Sequence, residues 1–402
     1  MRNVFLILTL LIGFVKAVAQ QPLRVMMIFA HPDEGEVYTG GTAALYTQLG
    51  HQVKFMSLTN GDAGHWVEKP EVLAKRRYQE AMNAKKILNL AEYEVLDYHD
   101  QGLKNTKEAR AKVVRSIEAF KPDIVFTYYP AAGGHIDNMT AGYIVRDAAR
   151  DLKMEKLPVF LYVRDYHTST FTYIPHFAFS IDKVWETKLE ACGAHQTQVA
   201  EAIPHSMGIL DEVRKNPAKQ KELIDDNTYA FSKVFPTYMF ALEKWYGKEG
   251  ASKIKYAEAF EVAEFGRQVQ EEEIFTLLPM LERSYVVSGT HDWTDTGIII
   301  KEGDLFEITA EGMIAWKREG REKCNPNGAL TYTRRGNKPL LEIPTGALIA
   351  RIGVDPKESF LVGSGRKIIA YKSGKLYLGI NDDNTSDNDG EFRVWIKKVS
   401  GN

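Results

Sequence analysis

The stretch LRVMMIFAHPDE, residues 23–34, predicts both the architecture and the chemistry of this chain. Its first part, 23–30, is an almost wholly apolar run that is typical of a buried strand, and the tetrad His31-Pro32-Asp33-Glu34 follows directly. A histidine and two carboxylates at the carboxyl end of a strand offer two metal ligands and a free base within one turn. The tetrad therefore predicts a hydrolytic site at a strand end.

Short apolar runs alternate with amphipathic helical patterns from residue 23 to about residue 161. The predicted strands are 23–29, 52–58, 94–98, 123–129 and 158–163, and the predicted helices are 41–49, 72–88, 107–120 and 141–152. This order predicts an α/β fold, a Rossmann-like and mostly parallel sheet with helices on both faces. In such sheets ligands bind beyond the carboxyl ends of the strands. Four polar segments lie at those ends and are expected to line one cleft: 31–34, 59–65, 98–100 and 130–138.

After residue 285 the sequence pattern changes from alternating strands and helices to short β-rich runs. A connecting helix is predicted over 268–283, and no helical pattern follows it. The later β-rich runs are separated by Gly, Asp and Asn turns, at 297–300, 305–308, 348–352, 367–371, 375–380 and 392–397. Their spacing is typical of an all-β antiparallel sandwich. We therefore predict an α/β domain over 20–265, a helical linker over 266–284 and a β-sandwich over 285–402, preceded by a signal peptide over 1–19.

The signal peptide is predicted from Arg2, the apolar run 4–15 and the small-residue site Ala17-Val18-Ala19. It indicates export to the periplasm or the cell exterior; a retained anchor is the alternative, which the short apolar run and Lys16 disfavour. Without these first residues the formal net charge falls below the −2 of the full chain. This balance argues against a nucleic-acid partner, and no integral membrane span is expected. The oligomeric state has no signal in the sequence.

The chain has two cysteines, Cys192 and Cys324, which fall in different predicted domains. Two buried thiols are therefore favoured over a disulfide, although the predicted compartment is oxidising. A cysteine-based metal site is excluded.

A series of short motifs runs in order through the first predicted domain. They are AHPDEGE at 30–36, GGT at 40–42, TNGDAG at 59–64, Arg77 with Glu80-Ala81, GHIDN at 134–138, AHQTQ at 194–198 and YAEAF at 256–260. Over about residues 23–265 the chain thus resembles the PIG-L/LmbE de-N-acetylases. The resemblance implies a zinc-dependent hydrolase that removes an acetyl group from N-acetylglucosaminyl conjugates.

The resemblance implies that zinc is held by His31, by Glu34, where the family normally has aspartate, and by position 138, where Asn138 replaces the family's histidine. A neutral amide is a poor zinc ligand, and catalytic zinc sites usually keep three protein ligands. Either another histidine of the cleft substitutes, His65 being the best placed in sequence, or the metal is weak, different or absent. A divalent metal remains favoured; zinc is the first expectation, and manganese, magnesium or calcium would suit oxygen ligands better.

The same resemblance implies catalytic and substrate-binding roles. Asp33 would be the general base that accepts a proton from the attacking water. His135 would stabilise the tetrahedral intermediate, and Asp137 would orient His135. The residues implied in substrate binding are Asp62, Arg77 and His195.

A loop rich in short oxygen side chains, NDDNTSDNDG at 381–390, lies between two predicted strands of the sandwich. On composition alone it is either a calcium site or a solvated polar hairpin. Its neighbourhood includes Trp293, Gly303-Asp304, Ile352-Gly353 and LYL at 376–378, and with these residues it resembles the LecA (PA-IL-like) galactose-binding lectin domain. That resemblance implies calcium ligands at Asp382, Asp387 and Asn388, with Thr385 as a further candidate.

Two hypotheses of different classes follow. The first is an exported, metal-dependent hydrolase that removes an N-acyl group, acetyl above all, from an amino-sugar-containing glycan or glycoconjugate. The second is a secreted glycan-binding protein in which a catalytically weakened hydrolase domain has become a scaffold. Changes at Glu34 and Asn138 motivate the second, and retention of Asp33, His135 and Asp137 favours the first.

Overall fold

In this computed structural model the described residues are 22–130, 134–165, 174–270, 273–281, 284–316, 322–329 and 336–398. The predicted signal peptide at 1–19 lies outside these residues. In the part of the chain that is described, no helix has the length and apolar character needed to cross a membrane.

The elements of the first part of the chain are strands β1 to β7 and helices α1 to α9. The strands are β1 Arg24–Phe29, β2 Gln52–Thr59, β3 Glu92–Tyr98, β4 Ile124–Tyr128, β5 Val159–Val163, β6 Phe177–Ser180 and β7 Ala257–Gly266. The helices are α1 Glu34–Gln48, α2 Pro70–Ile87, α3 Lys107–Phe120, α4 Ile136–Asp151, α5 Trp185–Gly193, α6 Ile203–Ser206, α7 Leu210–Lys215, α8 Pro217–Ser232 and α9 Met239–Lys253. A π-helical turn, Thr197–Ala202, precedes α6.

The described strands of this part form one sheet in the order β3-β2-β1-β4-β5-β7-β6. Strands β1 to β5 pair in parallel, whereas β7 pairs antiparallel with both β5 and β6. The central strands β1 and β4 are buried along almost their whole length, because helices cover both faces of a parallel sheet. The predicted mostly parallel α/β fold is confirmed, and the antiparallel edge formed by β6 and β7 is an addition to it.

Helix α1 begins at Glu34, whereas the Gly40-Gly41 pair led us to predict a start at residue 41. The glycines instead lie in the middle of the helix. A Cβ atom on Gly41 would come within 2.7 Å of the Ile181 side chain, so glycine is required for close packing. Helix α1 therefore begins at Glu34, the last residue of the tetrad, so this side chain lies in the first helical turn.

The middle of α1 contacts a buried ion pair. Glu258 accepts hydrogen bonds from the backbone N–H groups of Gly41 and Thr42, at 2.9 and 2.7 Å. The Lys188 ammonium lies 2.6 Å from Glu258 Oε1 and also donates to the carbonyl of Val37 at 2.8 Å. Neither charged side chain has appreciable contact with solvent, so the pair connects α1, α5 and β7 inside the core.

The second part of the chain contains helix α10 and strands β8 to β16. Their bounds are α10 Ile274–Leu277, β8 Ser284–Ser288, β9 Trp293–Ile300, β10 Leu305–Ala315, β11 Lys323–Cys324, β12 Leu348–Ile352, β13 Phe360–Leu361, β14 Gly365–Ile369, β15 Gly374–Ile380 and β16 Asp389–Lys398. The described part of the predicted 268–283 helix is thus a single turn, which ends before Pro279 because the residue preceding proline disfavours helical angles.

The strands of this second part form two antiparallel sheets. One has the order β11-β10-β16-β8, with β14 also paired to β10, and the other has the order β13-β12-β15-β9. Their inward side chains share one apolar core that includes Phe306, Ile308, Leu348, Leu378 and Phe392. These antiparallel sheets agree with the predicted all-β fold of this region.

Both cysteines are free and buried, Cys192 on α5 and Cys324 on β11. Burial raises the pKa of the Cys192 thiol to about 12 and that of the Cys324 thiol to about 11.

Candidate active site

Four loops meet at the carboxyl edge of the parallel strands, as expected for this fold. They follow β1, β2, β3 and β4 and carry the described residues 31–33, 60–69, 99–106, 129–130 and 134–135. Asp33, between β1 and α1, has φ of 135°, a conformation that is costly for a residue with a side chain. Strain of this kind concentrates at functional sites, and here it sets the direction of the Asp33 side chain.

His31 is held by Glu34 in the first turn of α1. Its Nδ1 donates to Glu34 Oε1 at 3.0 Å, while Glu34 Oε2 accepts the backbone N–H groups of Ala30 and His31, at 2.9 and 2.8 Å. Because a carboxylate only accepts, Nδ1 carries a proton, and in the neutral ring Nε2 presents its lone pair. That Nε2 atom faces Asp100 Oδ1 at 2.9 Å and Asp137 Oδ2 at 3.5 Å. Burial works to lower the pKa of His31, but these carboxylates outweigh it and raise the pKa well above its usual value.

His135 precedes α4 and caps it. Its Nδ1 accepts the backbone N–H of Asp137 at 3.3 Å, and its ring lies edge-on to that of His31 with centroids 4.9 Å apart. The Asp137 carboxylate accepts backbone N–H groups from Gln101 at 2.6 Å and Leu103 at 3.3 Å. The contact between His135 and Asp137 therefore runs through the Asp137 backbone, not through its carboxylate as the predicted orienting role requires.

Side chains of the cleft fit a divalent metal. One potential ligand atom from each of His31, His135 and Asp137 lies within 4.8 Å of the others. Among the described residues, His31 Nε2 is buried and has no partner with hydrogen-bond geometry. A buried imidazole lone pair facing carboxylate oxygens is the donor chemistry of a catalytic metal site.

The other predicted ligands lie in different surroundings. Both Glu34 carboxylate oxygens accept hydrogen bonds, one from the backbone N–H groups of Ala30 and His31 and the other from the His31 ring. Asn138 is buried and donates from Nδ2 to Asp165 at 3.2 Å, while its Oδ1 has no hydrogen-bond partner in the described part of the chain. His65 Nε2 lies 3.1 Å from Glu201 Oε2, and its Nδ1 accepts backbone N–H groups of its own loop. The metal-compatible cluster thus does not include His65.

Arg77, on α2, is buried beside the tetrad. Its Nη2 donates to Asp33 Oδ1 at 2.9 Å and to the carbonyl of Pro32 at 2.7 Å, and its Nη1 donates to the carbonyl of Gly61 at 3.2 Å. Burial raises the pKa of Asp33 above its usual value, and the Arg77 charge opposes that rise. Arg77 therefore orients the Asp33 carboxylate from below the cleft.

His195 also lies beneath Asp33 and is only 1% exposed. Its Nε2 is 3.4 Å from Glu36 Oε1 in α1, and Glu36 in turn accepts a hydrogen bond from Tyr93 at 3.3 Å. Burial lowers the pKa of His195, but Glu36 outweighs this effect and the net pKa is raised. We predicted that His195 contacts the substrate. Because His195 is buried, a substrate could reach it only through an opening that exposes this side chain.

Asp62 and Asp100 are linked. Asp62 accepts the backbone N–H of Asp100 at 2.9 Å and pairs with the exposed His99 ring. Asp100, 4% exposed, is the residue closest to His31 Nε2. We predicted no role for Asp100, although the segment 98–100 was expected in the cleft because it follows a strand.

The 381–390 loop connects β15 to β16. Asp382 Oδ1 accepts the backbone N–H of Asp383 at 2.8 Å, whereas Asp382 Oδ2 and Asn388 Oδ1 are buried without a hydrogen-bond partner among the described residues. Asp387 is half-buried, and Thr385 donates to Asp292 at 2.5 Å. Two oxygens of the predicted calcium ligands are thus unsatisfied, which fits a bound cation.

Comparisons with known proteins agree with the first resemblance. The sequence pattern described as "PIG-L: GlcNAc-PI de-N-acetylase" matches residues 26–149. A diacetylchitobiose deacetylase of Thermococcus kodakarensis is 30% identical over 196 residues, which cover 45% of this chain and 72% of that protein. A probable N-acetyl-α-D-glucosaminyl L-malate deacetylase 2 of Bacillus anthracis is 28% identical over 189 residues, which cover 45% of this chain and 83% of that protein.

For the later part of the chain, a solved structure described as "EclA N-terminal domain; PllA-like lectin" is 28% identical. The match covers 29% of this chain and 95% of the lectin, with a TM-score of 0.24. A score of that size does not establish a shared fold.

Proposed function

This chain belongs to the PIG-L family of de-N-acetylases, and we propose that it is an exported, metal-dependent hydrolase that removes the acetyl group from an amino-sugar-containing glycan or glycoconjugate. The observation that carries the proposal is the convergence of His31, Asp33, Asp137 and His135 in one cleft. Export is inferred from the pattern of residues 1–19.

In the proposed reaction the Asp33 carboxylate acts as general base. A divalent metal, when bound, polarises the amide carbonyl and acidifies water. His31 and Asp137 would hold it. Asp33, adjacent to His31 and hydrogen-bonded by Arg77 at 2.9 Å, accepts the proton of the attacking water and later returns it toward the departing amine.

In the proposed reaction His135 stabilises the developing oxyanion. Because its Nδ1 accepts the Asp137 N–H at 3.3 Å, the neutral ring carries its proton on Nε2, the atom left to face the cleft. An imidazole N–H donates to an oxyanion without having to change protonation state. This arrangement retains the predicted role of His135, with the helix backbone in place of the Asp137 carboxylate as the orienting group.

The proposal predicts that the purified chain releases acetate from N-acetylglucosamine oligomers and that a chelator abolishes the release. Re-adding zinc or manganese restores the rate, because the carbonyl is unactivated without a cation. Acetate is measured enzymatically, with N-acetylated peptides as a control substrate class. Equal rates with and without metal would contradict the metal dependence.

The competing function is a glycan-binding scaffold. It is favoured by Glu34, whose carboxylate is turned toward the backbone, and by Asn138, whose amide replaces an imidazole. Under this alternative the chain retains sugars but no stoichiometric metal in the α/β part, so metal analysis of protein purified without chelators separates the two functions.

We further propose that the β-sandwich binds a sugar through calcium at Asp382, Asp387 and Asn388. The buried, unsatisfied oxygens of Asp382 and Asn388 support this assignment. Asp382, Asp387 and Asn388 would hold the calcium ion, which would offset the charge of the loop carboxylates and offer coordination to sugar hydroxyls. The sandwich would then hold a glycan while the α/β cleft acts on it.

The calcium proposal predicts a thermal shift of the full chain. At a calcium concentration 100 times the Kd, binding stabilises the sandwich by about 2.7 kcal/mol and raises the melting temperature of its transition. Asp382→Ala should abolish the shift, whereas the exposed-loop variant Asp355→Ala should retain it. If neither calcium nor a chelator changes the melting temperature, the calcium proposal is wrong and the loop is a solvated hairpin.

A further inference from the structure

The cleft contains a carboxylate that neither the family pattern nor our sequence reasoning assigned to the metal. Asp100 Oδ1 lies 2.9 Å from His31 Nε2, closer than any other carboxylate oxygen that faces this atom. Despite that distance the pair does not have hydrogen-bond geometry. In the neutral ring, with its proton on Nδ1 toward Glu34, the two atoms present lone pairs to the same space.

The distances from His31 Nε2 to the Asp100 and Asp137 oxygens are those expected between two ligands of one ion. Two ligands bound at about 2.1 Å in tetrahedral geometry lie about 3.4 Å apart, and closer when their angle is smaller. From His31 Nε2, the Asp100 and Asp137 oxygens lie at 2.9 and 3.5 Å. The Asp137 oxygens keep lone pairs after they accept two backbone N–H groups, because each oxygen has two.

The hydrogen bonds and donor atoms of Glu34, His135 and Asn138 disfavour these three residues as metal ligands. Both Glu34 oxygens accept N–H groups, one of them from His31 Nδ1, so this carboxylate orients the ligand histidine. His135 Nδ1 accepts a backbone N–H, which places the ring proton on Nε2. Asn138 donates its amide N–H to Asp165, and its remaining Oδ1 is a neutral donor that binds zinc more weakly than a carboxylate.

We propose that His31, Asp100 and Asp137 are the three metal ligands in this chain, and that Glu34 positions His31 from outside the coordination sphere. The inference rests on the proposed function only for the presence of a metal. One histidine with two carboxylates is a harder donor set than the family's, which favours manganese or iron(II) beside zinc.

The test compares the isosteric variants Asp100→Asn and Glu34→Gln in the full chain, with Asp97→Asn as control. Asp97 is exposed on β3, the strand that precedes Asp100, and contacts Asn60 at 2.7 Å. Affinity for zinc is measured by chelator competition, and the cobalt(II) form is followed by its visible absorption spectrum. Circular dichroism and melting curves report whether each variant is folded.

We expect Asp100→Asn to weaken zinc binding by more than about 100-fold and to change the cobalt spectrum, because a charged ligand is lost. Glu34→Gln should cost about 10- to 100-fold with the spectrum retained, as for an orienting residue. Asp97→Asn should equal wild type. The assignment is overturned if Glu34→Gln strips the metal while Asp100→Asn keeps it, or if the wild-type chain binds no metal. Metal binding with the expected ranking but without acetate release overturns the proposed function and leaves the ligand assignment standing.

Discussion

Asp33→Asn is expected to lower the deacetylation rate by about 100- to 10,000-fold, the usual contribution of a general base. The amide cannot accept a proton, but it can still receive the hydrogen bond that Arg77 donates at 2.9 Å. Asparagine also has nearly the same size and shape as aspartate, so the fold should be retained. Steady-state acetate release, measured at saturating metal, gives the ratio directly.

The matched control for this variant is Asp151→Asn, at the far end of α4 from the cleft, which should leave the rate unchanged. Metal content is measured on the same samples, because a lost ion would imitate a lost base. If Asp33→Asn retains metal and turns over at the wild-type rate, Asp33 is not the base.

Lys188→Met is expected to reduce the free energy of unfolding by about 3–5 kcal/mol, because it leaves a buried carboxylate without its counter-ion. Glu258 is 3% exposed and its Oε1 lies 2.6 Å from the Lys188 ammonium. Methionine matches the length of the lysine stem, so cavity formation contributes little. Urea denaturation, monitored through the tryptophans of the α/β part, measures the change.

The control for the stability prediction is Lys219→Met, which removes a lysine from an exposed pair with Glu222 and should cost within about 0.5 kcal/mol. The double variant Lys188→Met with Glu258→Gln should recover part of the loss, since the buried charge is then gone. A Lys188→Met transition that coincides with that of Lys219→Met would show that the pair does not stabilise the core.

The parallel part of the fold could be predicted from sequence because its strands are continuous apolar runs between amphipathic helices. Strand β7 gave no such signal. Its sequence AEAFEVAEFG places glutamate at every third residue. The most buried of these, Glu258, is compensated by Lys188, a partner 70 residues away, and by two backbone N–H groups of α1. A single sequence does not reveal that pairing.

The site could be predicted in part for a similar reason. The tetrad and His135 lie at strand ends that sequence periodicity locates, so their meeting in one cleft was foreseeable. The direction in which each side chain points could not be predicted from the sequence. Glu34 turns back because α1 begins at residue 34 and presents its carboxylate to the N–H groups of the preceding residues. Asp100 enters the cleft because Asp62 binds its backbone.

The two cysteines carry a consequence for how the chain is made and handled. Thiolates, not thiols, attack disulfides and oxidants, and the pKa values of about 12 and 11 keep Cys192 and Cys324 protonated at neutral pH. Both are also buried, one in each part of the chain. A folded chain in an oxidising compartment therefore needs neither a reductant nor a disulfide isomerase, and its redox inertness makes both native thiols compatible with a single cysteine introduced on the surface for labelling.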